Sequence, residues 1–321
     1  MLNERETLAN ENRNTLAAGY YFVGEYSALY QRLTGNNSSV SVIYKNESSN
    51  QSPQVWLLQH NSWNNTISLQ NTQNNEWLSL SGSNTAVTDG ESVNLQSGDG
   101  DLNQDWIATR NSDESITLHS AVDPTYALVL ANNDVNVTSI NIDDIAQHIG
   151  FVPTVSPSQK AQWLQDAQTI ESEGTLKTGQ DVTFHSELNQ NYLLEDKWAS
   201  MDPGAIVDIY QDNGTIGQTW TVLDHSDGSI SLLNNQSGEW LDNLHYVAGQ
   251  GTAIVQWPGD GRVDQQWIPV INNDGSITLH SWLNPYYVVD LTSNTARDYN
   301  IVQSQGQDGN TSQNWVVNIQ H

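Results

Sequence analysis

Cysteine is absent from the 321 residues. That removes disulfides, thiolate nucleophiles and thiolate metal ligands, and argues against a stapled, secreted eukaryotic protein. Basic residues are scarce: 10 Lys and Arg face 37 Asp and Glu, for a formal net charge of −27. A surface of that sign repels phosphate backbones and anionic lipid, so nucleic acid is not an expected partner. Neutral ligands, cations and basic proteins remain open, and the charge reads first as a solubility device. No apolar run is long enough to cross a bilayer, so direct membrane insertion is not expected. The opening Met1-Leu2-Asn3-Glu4-Arg5-Glu6 lacks the apolar segment of a signal peptide. The expectation is a bacterial protein made in the cytoplasm, with release by a non-classical route open. Hydrophobic residues make up 36% and charged ones 15%, so Asn, Gln, Ser and Thr carry most of the polarity.

Large aromatics offset this shortage of apolar residues. There are 12 Trp and 12 Tyr, and each can bury roughly 150–250 Å². The chain can therefore build cores, and its length suits two domains.

Internal repetition organises the chain. Gln-x-Trp occurs at Gln54–Trp56, Gln104–Trp106, Gln218–Trp220, Gln265–Trp267 and Gln313–Trp315, with a degraded copy at Gln147–Ile149. The steps are 50 and 43 residues, then a gap of 71, then 47 and 48. That is three repeats, an insertion, and three more. A second motif runs in phase: Asp113–Ser120, Asp227–Leu232 and Asp274–Ser281, with a weaker copy at Asn65–Leu69. Each is a polar turn followed by a short Ile/Thr/Leu strand. His119 and His280 fall at matching places, which makes them repeat elements rather than catalysts. Helical periodicity is missing inside the repeats. One such repeat cannot bury its own apolar face, whereas three can close round a shared core. Trp56, Trp106, Trp220, Trp267 and Trp315 are the expected core residues.

Gln-x-Trp copies at this spacing, three per domain, resemble the ricin B-chain lectin family. The fifth repeat adds that family's longer pattern, with Leu241-Asp242 and Gly251-Thr252 ahead of its Gln-x-Trp. The resemblance implies an all-β chain of two tandem β-trefoils. It covers residues 17–152 and 176–321, leaving a tail at 1–16 and a linker at 153–175. The layout is also similar in architecture to the haemagglutinin components of clostridial toxin complexes. In the linker, Ser158 reads as a helix N-cap, and Ala161, Trp163, Leu164, Ala167 and Ile170 as an apolar stripe ending near Gly174. Trp163 is expected to pack on a domain.

In the family, an early carboxylate accepts from two adjacent sugar hydroxyls and an aromatic ring stacks on the pyranose. An Asn just before the Gln of Gln-x-Trp bonds a further hydroxyl. The chemistry suits a sugar with one C–H face and one hydroxyl edge. The fifth repeat fits best: Asp242 would be the acceptor, Trp257 the platform and Gln265 the support. Asp264 stands where the family has Asn. It cannot donate, so it changes which hydroxyl is read or recruits a cation. In the fourth repeat Glu195 lies 15 positions before Tyr210, as Asp242 does before Trp257. Asp196 is an alternative acceptor there, Gln218 the support, and Gly217 replaces the Asn. The sixth repeat keeps Asp290 but has Gln305 and Ser312 at the ring and Asn positions. The second has Asn103-Gln104 with Ser79 and Gln96. The first keeps Tyr44 without an acid, and the third is degraded.

Asp99–Asp105 resembles the start of a calcium loop, but Arg110 sits where the distal Glu should be. It reads as an acidic turn, and no metal or cofactor is expected. No His-Glu-x-x-His, Gly-x-Ser-x-Gly or phosphate-loop signature is present, and the trefoils leave no room for a catalytic domain. Two functions stay open. One is a lectin for galactose or N-acetylgalactosamine on glycoproteins or glycolipids, in the resemblance a cell-targeting component with a toxin partner. The other is a protein-interaction module or protease inhibitor that binds no sugar.

Overall fold

A computed structural model describes residues 2–26, 31–44, 52–82, 84–98, 100–131, 133–172, 174–259, 261–306 and 309–320. The chain divides into two compact units, Met1–Pro157 and Ser158–His321. Among the described residues each holds twelve strands, and the α-helices are two: α1 (Leu2–Asn12) and α2 (Pro157–Ser172).

Pairing in the second unit defines its shape. Strands Asp181–Ser186, Trp220–Asp224, Ile230–Asn234, Trp267–Ile271, Ile277–Ser281 and Trp315–Ile319 pair in sequence order, and the last returns to the first. The result is a closed ring of six strands, which leaves no free edge. The other six form three hairpins, 192–211, 240–257 and 287–306, whose outer strands pair with one another. The first unit repeats this circuit, with Gly19–Glu25 paired to Val55–Asn61 and to Ile149–Thr154. Each unit is a β-trefoil.

The repeats explain the closure. Trp56, Trp106, Trp220, Trp267 and Trp315 are all fully buried. Each indole Nε1 donates to a hairpin carbonyl one residue before the position of the early acid: Leu33, Leu78, Leu194, Leu241 and Val289, at 3.0–3.3 Å. A large apolar ring thus enters the core with its one polar atom satisfied. In the third repeat Ile149 takes the ring's place, and Gln147 still anchors the turn through Thr138 Oγ1 and the Ser139 carbonyl. His119 and His280 are buried, each with Nδ1 bonded to the carbonyl five residues on, Pro124 and Pro285. His185 makes the same contact with Gln190 O.

Two expectations need correction. Helix α2 starts at Pro157 rather than behind a Ser158 cap, since Pro suits a first helical position. Ala161 is exposed, and Lys160 holds the buried place instead. Its Nζ donates to Trp282 O at 2.8 Å and lies 3.6 Å above the Trp282 ring. As expected, Trp163 packs on the second unit, 4.3 Å from the His280 ring, and Ile170 of α2 joins that unit's core. In the calcium-like loop Asp99 lies outside the described residues. Asp105 turns inward and accepts from Asn61, Asn64 and Ser68 at 2.6–3.1 Å. Among the described residues, no group of three or more His, Asp or Glu side chains could hold a metal ion.

Candidate functional site

The fifth repeat contains a shallow cavity of about 210 Å³, lined by Asp242, Leu244, His245, Tyr246, Trp257, Arg262 and Asp264. That is below the roughly 300–1,000 Å³ of drug-sized pockets, and suits a single ring. The hairpin register accounts for the pairing of acid and ring. Trp240 lies opposite Trp257, and Asp242 opposite Val255. Side chains two apart share a face, so Asp242 and Trp257 point the same way.

Asp242 is 2% exposed. Its Oδ2 accepts from Gln265 Nε2 at 2.9 Å, and the same amide nitrogen reaches Trp257 O at 3.3 Å. Gly259 makes room for that amide, since a Cβ there would meet Gln265 Oε1 at 2.2 Å. Burial, reinforced by Asp264, pushes the Asp242 carboxyl up to about 7, while Gln265 and Arg262 oppose the shift.

The sequence left Asp264 either to change the hydroxyl read or to recruit a cation. The cation is Arg262. Its Nε and Nη2 bond the two Asp264 oxygens at 3.1 Å each, and Nη2 lies 3.6 Å from Asp242 Oδ2. The guanidinium also sits 4.9 Å from the Tyr246 ring centre. Arg262, His245 and Tyr246 were missed by sequence reasoning. The available signal was one of only ten basic residues, two positions before the acid that departs from the pattern.

Trp257 is 36% exposed. Gly204, from the preceding repeat, backs its six-membered ring: a Cβ on Gly204 would lie 3.0 Å from Trp257 Cζ3. Hydrogen bonds tie that loop to the same strand, from Gly204 N to Gln256 O and from Gln256 N to Ala205 O. His245 and Tyr246 both take left-handed backbone, with φ of 61°. Non-glycine residues there cost about 1–3 kcal/mol and mark places where the surroundings dictate the conformation.

The fourth repeat preserves the scaffold and differs in the opening. Glu195 Oε2 accepts from Gln218 Nε2 at 3.0 Å, as Asp242 does from Gln265. Glu195, not Asp196, therefore holds the acceptor position. Asp196 takes the place of Asn243, buried against Gly217, where a Cβ would lie 2.6 Å from its Oδ1. Asp208 faces Glu195 across the hairpin and stands 3.8 Å from Lys197 Nζ. Burial raises Glu195 and Asp196 to about 7 and Asp208 to about 8, with neighbouring carboxylates adding to the shift. The Tyr210 ring is covered by Tyr299, at 5.1 Å, with Trp198 edge-on to Tyr299 at 6.1 Å. Lys197 Nζ lies 5.0 Å from the Trp198 ring. In the sixth repeat Asp290 Oδ2 accepts from Gln313 Nε2 at 3.0 Å and Ser312 is buried; the side chain of Gln305 lies outside the described residues, as does that of Tyr44 in the first repeat. In the second repeat Asn103 Nδ2 donates to Leu80 O at 3.2 Å, and Ser79 is buried.

Residues 160–257 and 218–304 match the family described as ricin-type beta-trefoil lectin domain-like. No curated protein matches the sequence. Among solved structures, the designed three-fold symmetric protein ThreeFoil is 25% identical, aligned over 43% of this chain and 96% of its own, with a TM-score of 0.41. A mosquitocidal holotoxin is 18% identical over 95% of this chain, with a TM-score of 0.41. The Polyporus squamosus lectin is 23% identical over 44% of this chain, with a TM-score of 0.37. The aligned region spans 34% of the holotoxin and 49% of the Polyporus lectin.

Proposed function

We infer that this chain, whose second unit belongs over residues 160–304 to the ricin-type β-trefoil lectin-like family, binds carbohydrate, and we propose that it does so at the fifth repeat. The ligand is a terminal galactose or N-acetylgalactosamine of a glycoprotein or glycolipid, bound without turnover. The observation that carries the reading is one cavity lined by a buried carboxylate and a part-exposed indole, Asp242 and Trp257. The indole lies against the C–H face of the pyranose, and the carboxylate accepts from its hydroxyl edge. A shallow site of this size holds one ring at about millimolar strength, on the order of −4 kcal/mol. Working avidity comes from several copies on one surface. Such a protein serves as the cell-targeting part of a toxin assembly.

A second reading is supported by the first unit. Its loop at 140–145 leaves Ile142 78% and Ile145 67% exposed, and exposed apolar patches mark protein contacts. A glycan array on wild type and Asp242→Ala separates the two. Signal on galactosides that vanishes in the variant supports the lectin. No glycan bound by wild type refutes it and leaves the protein-contact reading.

A further inference from the structure

We infer that Arg262 is the hydrogen-bond donor of the fifth-repeat site, replacing the amide missing at position 264, and that it reads an acceptor oxygen on an uncharged pyranose. This rests on the sugar-binding reading above. A carboxylate at 264 offers no proton, so a hydroxyl oxygen needing a donor must find one elsewhere in the cavity. A guanidinium carries five N–H groups in a fixed fork. Asp264 takes Nε and Nη2 in a two-point bond, with both contacts at 3.1 Å. That bond fixes the plane of the group. The Tyr246 ring, 4.9 Å from the guanidinium carbon, supports it from one side. Nη1 makes no hydrogen bond to the described protein, and the side chain is 34% exposed where it lines the cavity. Two N–H groups therefore remain, rigidly held, for a ligand.

The charge balance sets the ligand class. Two buried carboxylates, Asp242 and Asp264, surround one guanidinium. Arg262 is already neutralised, so a ligand carboxylate or sulfate would add a further negative charge. An uncharged sugar brings none. It meets an acceptor in Asp242 and a donor in Arg262, so two of its hydroxyl positions are read with opposite polarity.

That polarity is the test. Full-length protein is titrated by NMR with methyl galactoside, with its monodeoxy and monofluoro analogues, and with methyl galacturonate. Fluorine can accept weakly but cannot donate, whereas a deoxy carbon does neither. At the hydroxyl read by Asp242, both analogues should lose about tenfold or more in affinity. At the hydroxyl read by Arg262, the fluoro analogue should bind several-fold better than the deoxy one, and galacturonate should bind weaker than galactoside. Arg262→Lys keeps the charge and loses the fork, so it should erase the fluoro–deoxy difference and leave the Asp242 pattern intact. Equal binding of fluoro and deoxy analogues at every position of wild type overturns the donor role. So does an Arg262→Lys protein that behaves as wild type, and preferred galacturonate overturns the ligand class. If wild type binds no galactoside at all, the sugar-binding reading falls with it, whereas the other failures leave that reading standing.

Discussion

Replacing Asp196 with Asn should stabilise the second unit, and should do so more at alkaline than at acid pH. The reasoning comes from the internal repeat. Position 196 in the fourth repeat is position 243 in the fifth, and there the residue is Asn243. Asn243 Nδ2 donates to Asp264 O at 3.3 Å and to Ser281 Oγ at 3.1 Å. The matching groups in the fourth repeat are Gly217 O, which accepts from Asn234 Nδ2 at 2.9 Å, and the Asn234 side chain. Asp196 has no proton to offer them when ionised, and both its oxygens are buried without a partner. Burial, then the neighbouring Glu195, raises its carboxyl from 3.8 to about 7. A raised carboxyl costs nothing below its unfolded value. As pH climbs from about 4 to 7, the unfolded chain ionises freely and the folded one does not, so stability falls and stays low above 7. Three units at 1.36 kcal/mol each set a ceiling of about 4 kcal/mol. Coupling to Glu195 and Asp208, with local relaxation, brings the working figure to about 2 kcal/mol. For a domain of this size that is roughly 4–8 °C in Tm. Thermal unfolding of wild type and variant at pH 4.5 and pH 8 measures it. The variant should melt several degrees higher at pH 8 and nearly level with wild type at pH 4.5. No gain at pH 8, or an equal gain at both, refutes the reasoning.

Two further substitutions separate binding from folding. Trp257→Ala should weaken galactoside binding more than about tenfold and shift Tm little, because the ring is part-exposed at the mouth of the cavity; Trp267→Ala, at a fully buried ring, should cost about 3–5 kcal/mol by chemical denaturation. Gly204→Ala should lower galactoside affinity several-fold, because its backbone has φ of +84° and its methyl would press on Trp257; about 1 kcal/mol of stability should go with it. An unchanged affinity in an NMR titration would show that the indole needs no backing.

The architecture was legible because it rests on one large residue at a fixed phase. A Trp every 47–50 residues within each run, each with a Gln two positions before it, can be counted without knowing any contact. The third repeat was legible only in part, since Ile149 fills the ring's position without looking like one. The start of α2 and the burial of Lys160 were misread for a different reason. Hydropathy treats lysine as polar, while the structure buries its stem and gives its ammonium a carbonyl and an indole. The acid and ring of the fifth repeat could be found from their separation of 15 residues. Tyr246 and Gly204 could not. They arrive from loops whose paths depend on left-handed turns and on a neighbouring repeat, and no spacing rule within a repeat encodes that.

The tether between the early acid and its glutamine is the same at 242, 195 and 290, each about 3.0 Å long. The acid therefore serves the scaffold before it serves a guest. Within the second unit the carboxylate has therefore outlasted the platform: the sixth repeat keeps Asp290 on its glutamine where Gln305 has replaced the ring.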